Sequence, residues 1–154
     1  MCGIGRPCAS ARHIMSTLRT VVAATLTLPR FWWSLRCAPY GAVVEAYGQR
    51  VAAPGPGADG RFDEARRVGQ LVNGVANKLP LRLECVPRTL TTWYLLRKRG
   101  IIADMPIGVR VTETGERRFH TWAEVDGIPV NDRRDVASRY LQFRSDLPDE
   151  QGWE

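Results

Sequence analysis

The chain has 154 residues, and its 22 Lys and Arg against 16 Asp and Glu give a formal net charge of +6 at pH 7. Hydrophobic residues make up 44% and charged residues 25%, which is typical of one globular domain and excludes disordered and collagen-like chains. No apolar run nears the roughly 18 residues of a membrane span, and the 4 Cys form no CxxC pair, which argues against spanning proteins, disulfide scaffolds and zinc ribbons.

The N-terminal residues carry no secretory signal that we can recognise. We expect residues 1–15 to be a disordered tail, within which Met15 is an alternative start. The apolar run at 21–28 is interrupted by two Thr and is followed by Pro29 and Arg30, so it is too short for a signal peptide. We therefore expect a cytoplasmic protein with reduced thiols.

Residues 16–60 are predicted to be a helical region that ends in a linker. Apolar residues recur at helical spacing, and Pro29 and Pro39 are expected to divide the region into short helices. The aromatic and basic cluster at 31–36 either packs in the core or offers a docking surface for a partner. The turn-rich stretch 52–60 predicts the boundary with the C-terminal half.

The C-terminal half, residues 61–154, begins with two predicted helices. Apolar residues at spacings of three and four predict the first over 62–79. The second begins beside Cys85, where Pro87 is tolerated because the first helical turn needs no N–H donor. It is expected to end at Arg99, because cations and a following Gly favour a helix C-terminus.

The sequence pattern after this helix changes to a period of two, which predicts strands. Residues 105–111 and 119–125 are predicted strands joined by a turn. The Asp126-Gly127 pair predicts a hairpin with a return strand from Ile128, and a short helix is expected within 136–143. The C-terminal half therefore combines helices with strands.

Cys85 at a helix start is the first candidate for chemistry. The terminal N–H groups and the helix dipole stabilise a thiolate, which lowers the thiol pKa and makes the sulfur a nucleophile. The alternative is a small buried apolar side chain, as most free Cys are. His120 shares a strand face with Trp122 and Glu124, and it is either structural or the base that activates the thiol.

Asp132 is the third candidate, and the hairpin register tests it. A two-residue Asp126-Gly127 loop would set Asp132 opposite Thr121 and pointing away from His120. A three-residue loop would set Asp132 opposite His120 on the same face. The sequence suits either loop, and we expect a catalytic triad to require the second one.

Cys85, His120 and Asp132 together follow the pattern of a cysteine hydrolase. The imidazole would take the thiol proton and later protonate the leaving amine, while the carboxylate holds the tautomer of the ring. The N–H of Cys85 would be one oxyanion donor, and the sequence does not identify the second. A zinc site is a poor alternative because the ligands are scattered and lack short metal-type spacing.

Residues 85–132 resemble the lasso peptide leader peptidases of the microcin-processing protein family, which are transglutaminase-like cysteine proteases. The matching pieces are CVPRTLTTWYLLRKRGI at 85–101, IGVRV at 107–111, FHTWAEVDGIPV at 119–130, and Asp132. The family often has Leu after the Cys, Ser in place of Thr89, and His-Ala-Trp in place of His-Thr-Trp, and these differences leave the triad intact. The helices before residue 85 fit the family only loosely.

The resemblance implies an α+β fold with a papain- or transglutaminase-like core, in which a nucleophile helix packs on an antiparallel sheet behind additional N-terminal helices. It implies a Cys85–His120–Asp132 triad that works through an acyl-enzyme without a cofactor or metal. It further implies removal of the leader from a ribosomally made lasso peptide precursor, just after a leader Thr. The chain resembles the stand-alone form of these peptidases, which implies a separate leader-recognition protein and hand-over to a macrolactam-forming cyclase.

Three other functions stay open from the sequence. A non-catalytic adaptor with the same fold would bind peptide only, although Cys, His and Asp occur in the expected order. A basic nucleic-acid-binding protein is compatible with the six Arg against two acidic residues at 1–60, but no reader motif is recognisable. A transglutaminase or another amidase would share the chemistry of the triad.

Overall fold

The structure is a computed structural model that describes residues 9–48 and 61–143, with side chains from residue 14 on. The linker predicted at 52–60 and the first part of the predicted tail lie outside the described residues, and the domain division stays a prediction. The helices are α1 (Ala9–Cys37), α2 (Tyr40–Gly48), α3 (Phe62–Ala76), α4 (Cys85–Arg97) and α5 (Val136–Arg139). The strands are β1 (Ile107–Val111), β2 (Arg117–Thr121), β3 (Glu124–Val125), β4 (Ile128–Pro129) and β5 (Leu141–Phe143).

Helix α1 continues through Pro29, so the prediction that this Pro ends a short helix is wrong. A Pro inside a helix removes one hydrogen bond and costs about 3 kcal/mol or more. Leu28 and Phe31, on either side of Pro29, are fully buried, and burying each such side chain contributes roughly 1.5–3 kcal/mol. Packing therefore offsets the local cost at Pro29, whereas Pro39 separates α1 from α2 as predicted.

The N-terminal helices share one hydrophobic core with α3 and α4. Phe31 of α1 lies 4.5 Å from Tyr47 of α2 and 5.9 Å from Tyr94 of α4, measured between ring centroids. Trp33, only two residues after Phe31, is 65% exposed. The predicted aromatic cluster is thus divided, since Phe31 packs in the core and Trp33 faces solvent.

Helix α4 is the central helix of this core and begins at Cys85, as predicted. Most of its side chains beyond the first turn are buried, including Leu90 and Leu96, and it also packs against β2. Gly100, with a φ of 71°, ends the helical region, and the N–H of Ile101 donates to the carbonyl oxygen of Leu96 at 3.0 Å. The first turns of α4, which carry the thiol, lie against β2, where the hydroxyl of Thr89 donates to the carbonyl oxygen of Thr121.

The main sheet has the antiparallel order β2-β1-β5. Gly108 in β1 pairs with His120 in β2, which sets the imidazole beside the central strand. An ideal Cβ built on Gly108 would lie 2.6 Å from the Cβ of Tyr140, so only Gly lets the segment before β5 approach this closely. The predicted strands at 105–111 and 119–125 are confirmed as β1 and, in part, β2 and β3.

A separate two-stranded sheet contains the predicted hairpin. Val125 pairs with Ile128, so the loop has the two residues Asp126 and Gly127, with φ angles of 52° and 74°. Positive φ at both positions is the signature of a type I′ turn. The loop is therefore the first of the two alternatives that the sequence allowed.

Candidate active site

Cys85 lies at the N-terminus of α4, half-buried and beside the ring of His120. Burial of the thiol opposes its ionisation. The hydrogen bond with His120, backbone hydrogen bonds of Thr121 and Val86, and the charge of the ring outweigh burial, so the pKa of Cys85 lies below its ordinary value. Both the helix position and the imidazole therefore favour the nucleophilic thiolate.

His120 and Asp132 are joined by a hydrogen bond of 2.6 Å between Nε2 and Oδ2. Because Nε2 meets the carboxylate, Nδ1 is the ring nitrogen left for the thiol of Cys85. The hydrogen bond to Asp132, together with that to Cys85, raises the pKa of His120 from 6.5 to about 9. Burial works against the ionisation of Asp132, but the hydrogen bond with His120 and the backbone N–H of Arg133 hold the pKa of the carboxyl below its ordinary value.

The expectation that Asp132 needs a three-residue loop to reach His120 is wrong, since the loop has two residues and the contact is made. The expected register holds only if one continuous strand runs from His120 to the turn. In the structure β2 ends at Thr121 and pairs with β1, while β3 pairs with β4 in another sheet. The hairpin register therefore does not extend back to His120, and the chain after β4 is free to bring Asp132 to the ring.

Aromatic side chains flank the imidazole of His120. The ring of Tyr140 lies 5.1 Å from it and that of Trp122 lies 6.0 Å away, both tilted. Trp122 is fully buried, and its Nε1 donates to Oε2 of Glu124 at 3.1 Å. Tyr140 carries no local sequence signal of this contact, because no pattern links it to His120 twenty residues earlier.

Two cavities meet at the thiol, with Cys85 and His120 in the lining of both. One, of about 620 Å³, is polar and is lined by Arg66, Asn73, Arg88, Asn131 and Asp132 among others. The other, of about 550 Å³, is mainly apolar and is lined by Leu35, Ala38, Tyr40, Val86, Ile107 and Phe119 among others. A reactive sulfur between a polar and an apolar cavity can meet an extended chain that crosses from one to the other.

The described part of the chain contains no group of three His, Cys, Asp or Glu side chains that could hold a metal ion. Over the same residues, no helix combines the length and the hydropathy needed to cross a membrane. The cavity at the N-terminus of α4 brings together a thiol, an imidazole and a carboxylate, and a hydrogen bond joins the imidazole to the carboxylate. This arrangement supports nucleophilic attack by sulfur on a carbonyl carbon.

Comparison with protein families gives a match over residues 34–145, more than half of the chain, to the model described as the transglutaminase-like superfamily. The chain belongs to the transglutaminase-like superfamily. The expected α+β fold, with the Cys-bearing helix on an antiparallel sheet behind N-terminal helices, is confirmed. Comparisons with curated proteins and with solved structures gave no match.

The transglutaminase-like domain brings all three candidate residues together from separate elements. Cys85 comes from α4, His120 from β2 and Asp132 from the segment after β4. Sequence reasoning missed Thr89 and Asn131, which lie directly behind them. The available signals were the position of Thr89 one helical turn after Cys85 and that of Asn131 beside Asp132.

Proposed function

We propose that this chain is a cysteine peptidase that removes the leader peptide from a ribosomally made lasso peptide precursor. The observation that carries the proposal is that the Cys85 thiol, the His120 ring and the Asp132 carboxylate line one cavity at the N-terminus of α4, with a hydrogen bond of 2.6 Å between the ring and the carboxylate. Membership of the transglutaminase-like superfamily is compatible with this chemistry. The narrower choice of substrate rests on the resemblance of residues 85–132 to the lasso peptide leader peptidases.

Cys85 is the nucleophile in the proposed reaction. Its sulfur attacks the carbonyl carbon of the scissile bond while His120 holds the thiol proton, and the N–H of Cys85 faces the developing oxyanion. The imidazolium then donates its proton to the leaving amine, which breaks the C–N bond and leaves a thioester on the enzyme. Asp132 orients the ring and stabilises its charge in this step.

Water completes the proposed reaction. His120, now neutral, accepts a proton from a water molecule as the water oxygen attacks the thioester carbonyl. Collapse of the second tetrahedral intermediate releases the leader as a carboxylic acid and returns the proton to sulfur. Over the cycle the leaving amine takes the proton of the Cys85 thiol, and water supplies both the hydroxyl group of the acid and the proton that returns to sulfur.

The cavities on either side of Cys85 support a peptide substrate. The apolar cavity offers Leu35, Tyr40 and Phe119 to side chains on one side of the scissile bond. The polar cavity offers Arg66, Arg88 and amide groups to the other side. The same resemblance adds two partners to the proposal. One is a separate leader-recognition protein, and the other is a macrolactam-forming cyclase that receives the freed core peptide.

The experiment is incubation of the full chain with a candidate precursor and its recognition protein, followed by mass spectrometry of the peptides. Cys85→Ala and His120→Ala should abolish leader removal while circular dichroism shows that they stay folded. Cys37→Ala is the matched control, because Cys37 is a free thiol exposed on α1, and it should cleave at the wild-type rate. Undiminished cleavage by Cys85→Ala would overturn the mechanism, and binding of precursor by the wild type without cleavage would favour a non-catalytic adaptor.

A further inference from the structure

Three buried polar residues lie directly behind the proposed triad, and the reaction itself does not use them. Thr89 is 1% exposed, Thr121 is 4% exposed and Asn131 is 9% exposed. Burying a hydroxyl or an amide is costly unless it is hydrogen-bonded. The side chains of Thr89 and Asn131 are both hydrogen-bonded. Their hydrogen-bond partners lie on or next to the elements that carry the triad.

Thr89 lies four residues after Cys85 on α4, so the two side chains share a face of the helix. Its hydroxyl donates to the carbonyl oxygen of Thr121 at 3.0 Å and accepts from Nδ2 of Asn131 at 3.2 Å. Thr121 directly follows His120, and Asn131 directly precedes Asp132. A single hydroxyl thus joins the helix of the thiol to the backbone next to the imidazole and to the residue next to the carboxylate.

Asn131 extends the same connection. Its Oδ1 accepts the N–H of Ala123 at 2.7 Å, and its backbone carbonyl accepts Nδ2 of Asn73 on α3 at 2.6 Å. The network also settles which way the amide points, because a flipped amide would direct its NH₂ group at the N–H of Ala123. Asn131 therefore ties the segment that carries Asp132 to α3, to α4 and to the chain that follows β2.

We propose that Thr89 and Asn131 are positioning residues, whose buried hydrogen-bonded link holds the Cys85 thiol, the His120 ring and the Asp132 carboxylate in reacting geometry. The inference rests on Cys85 being the nucleophile of the proposed function. β2 pairs with β1 and β3 pairs with β4, so no strand pairing sets Asp132 opposite His120. The hydrogen bonds of Thr89 and Asn131 take the place of that pairing. Rigid placement matters since a displacement of about 1 Å can lower a catalysed rate by about a hundredfold.

The test measures how fast iodoacetamide alkylates Cys85 as a function of pH, in the full chain and without precursor. Mass spectrometry of the peptide that contains Cys85 reports its rate, and the exposed thiol of Cys37 is an internal reference. Thr89→Val keeps the shape of the side chain and removes the hydroxyl. In this variant the midpoint of the pH profile for alkylation of Cys85 should move to higher pH. The alkylation rate at neutral pH should fall by about tenfold, because the imidazole is no longer held in the geometry that stabilises the thiolate.

Two variants on α4 separate positioning from a structural effect. Thr89→Ser keeps the hydroxyl and should restore the wild-type pH profile. Thr91→Val makes the same change at a threonine that is equally buried on α4 but whose Oγ1 has no hydrogen-bond partner within the described residues. It should leave the profile of Cys85 unchanged, although both Val variants alter a buried site.

Wild-type alkylation profiles in folded Thr89→Val would overturn the inference. If Thr89→Val does not fold, Asn73→Ala takes its place, since Asn73 is only partly buried and holds the backbone of Asn131. This variant should shift the profile in the same direction by a smaller amount, and an unchanged profile would overturn the inference equally. Because the assay needs neither precursor nor recognition protein, it can fail or succeed independently of leader removal.

Discussion

Gly69 on α3 is the position at which a single methyl group should disturb both the stability and the site. An ideal Cβ built there would lie 2.3 Å from the carbonyl oxygen of Val130 and 2.9 Å from the Cα of Asn131. These are backbone atoms, which cannot rotate away as a flexible side chain would. Gly69→Ala must therefore push α3 and the segment that precedes Asp132 apart, by about 1 Å to reach an ordinary contact.

The size of the effect follows from two opposing terms. Overpacking of a tight interior costs about 1–3 kcal/mol, whereas Ala is favoured over Gly inside a helix by roughly 0.8–1.0 kcal/mol. Because the atoms in the way belong to the backbone, the overpacking cost should lie in the upper part of its range, about 2–3 kcal/mol. The net free energy of unfolding of Gly69→Ala should then fall by about 1–2 kcal/mol. For a domain of this size that corresponds to a Tm lower by about 2–8 °C.

Gly74→Ala is the matched control on the same helix. Among the described residues, nothing lies within 4 Å of a Cβ built on Gly74, so only the gain in helix propensity remains. This variant should raise the free energy of unfolding by roughly 0.8–1.0 kcal/mol. Thermal unfolding followed by circular dichroism measures both variants, and a Tm for Gly69→Ala equal to or above that of Gly74→Ala would refute the reasoning.

The remaining predictions concern the triad and the ring beside it. Leader removal should decline as pH rises through about 9, because His120 then loses the proton that it donates to the leaving amine. The raised pKa of His120 also implies a contribution to the free energy of unfolding. This contribution is complete below the ordinary His pKa of 6.5 and is lost as pH rises through about 9. Thermal unfolding at a series of pH values will measure it. Asp132→Asn should lower the rate of leader removal by about tenfold or more and move the alkaline limb of the pH–rate profile to lower pH. A profile identical to that of the wild type would mean that another residue orients the ring of His120. Gly108→Ala, whose Cβ would lie 2.6 Å from the Cβ of Tyr140, should lower both Tm and activity, and an unchanged rate would show that Tyr140 has no part in holding His120.

Signals carried by neighbouring residues predicted the start of α4 correctly. The apolar spacing, Pro87 in the first turn and Gly100 at the end act within one or two helical turns, so the position of Cys85 at a helix N-terminus could be read before any tertiary contact was known. The turn at Asp126 and Gly127 is likewise local, and its type I′ geometry agrees with the residue types. Cys85, His120 and Asp132 were also identified as candidates from the sequence.

Long-range contacts decided what local patterns could not. The penalty of Pro29 is local, but the burial of Leu28 and Phe31 against other helices offsets it, and α1 continues. The position of Asp132 does not follow the hairpin register, because β2 pairs with β1 rather than with the strand after the turn, and the choice of partner depends on the whole sheet.

The sequence by itself therefore identified Cys85, His120 and Asp132 as the candidates for chemistry and predicted that Cys85 begins a helix. Only the tertiary structure decided how His120 and Asp132 reach that helix. Their meeting depends on buried hydrogen bonds of Thr89 and Asn131, whose partners come from segments far apart in the chain. Such bonds contribute only once the chain has folded and excluded water from them, so no pattern of neighbouring residues reveals them.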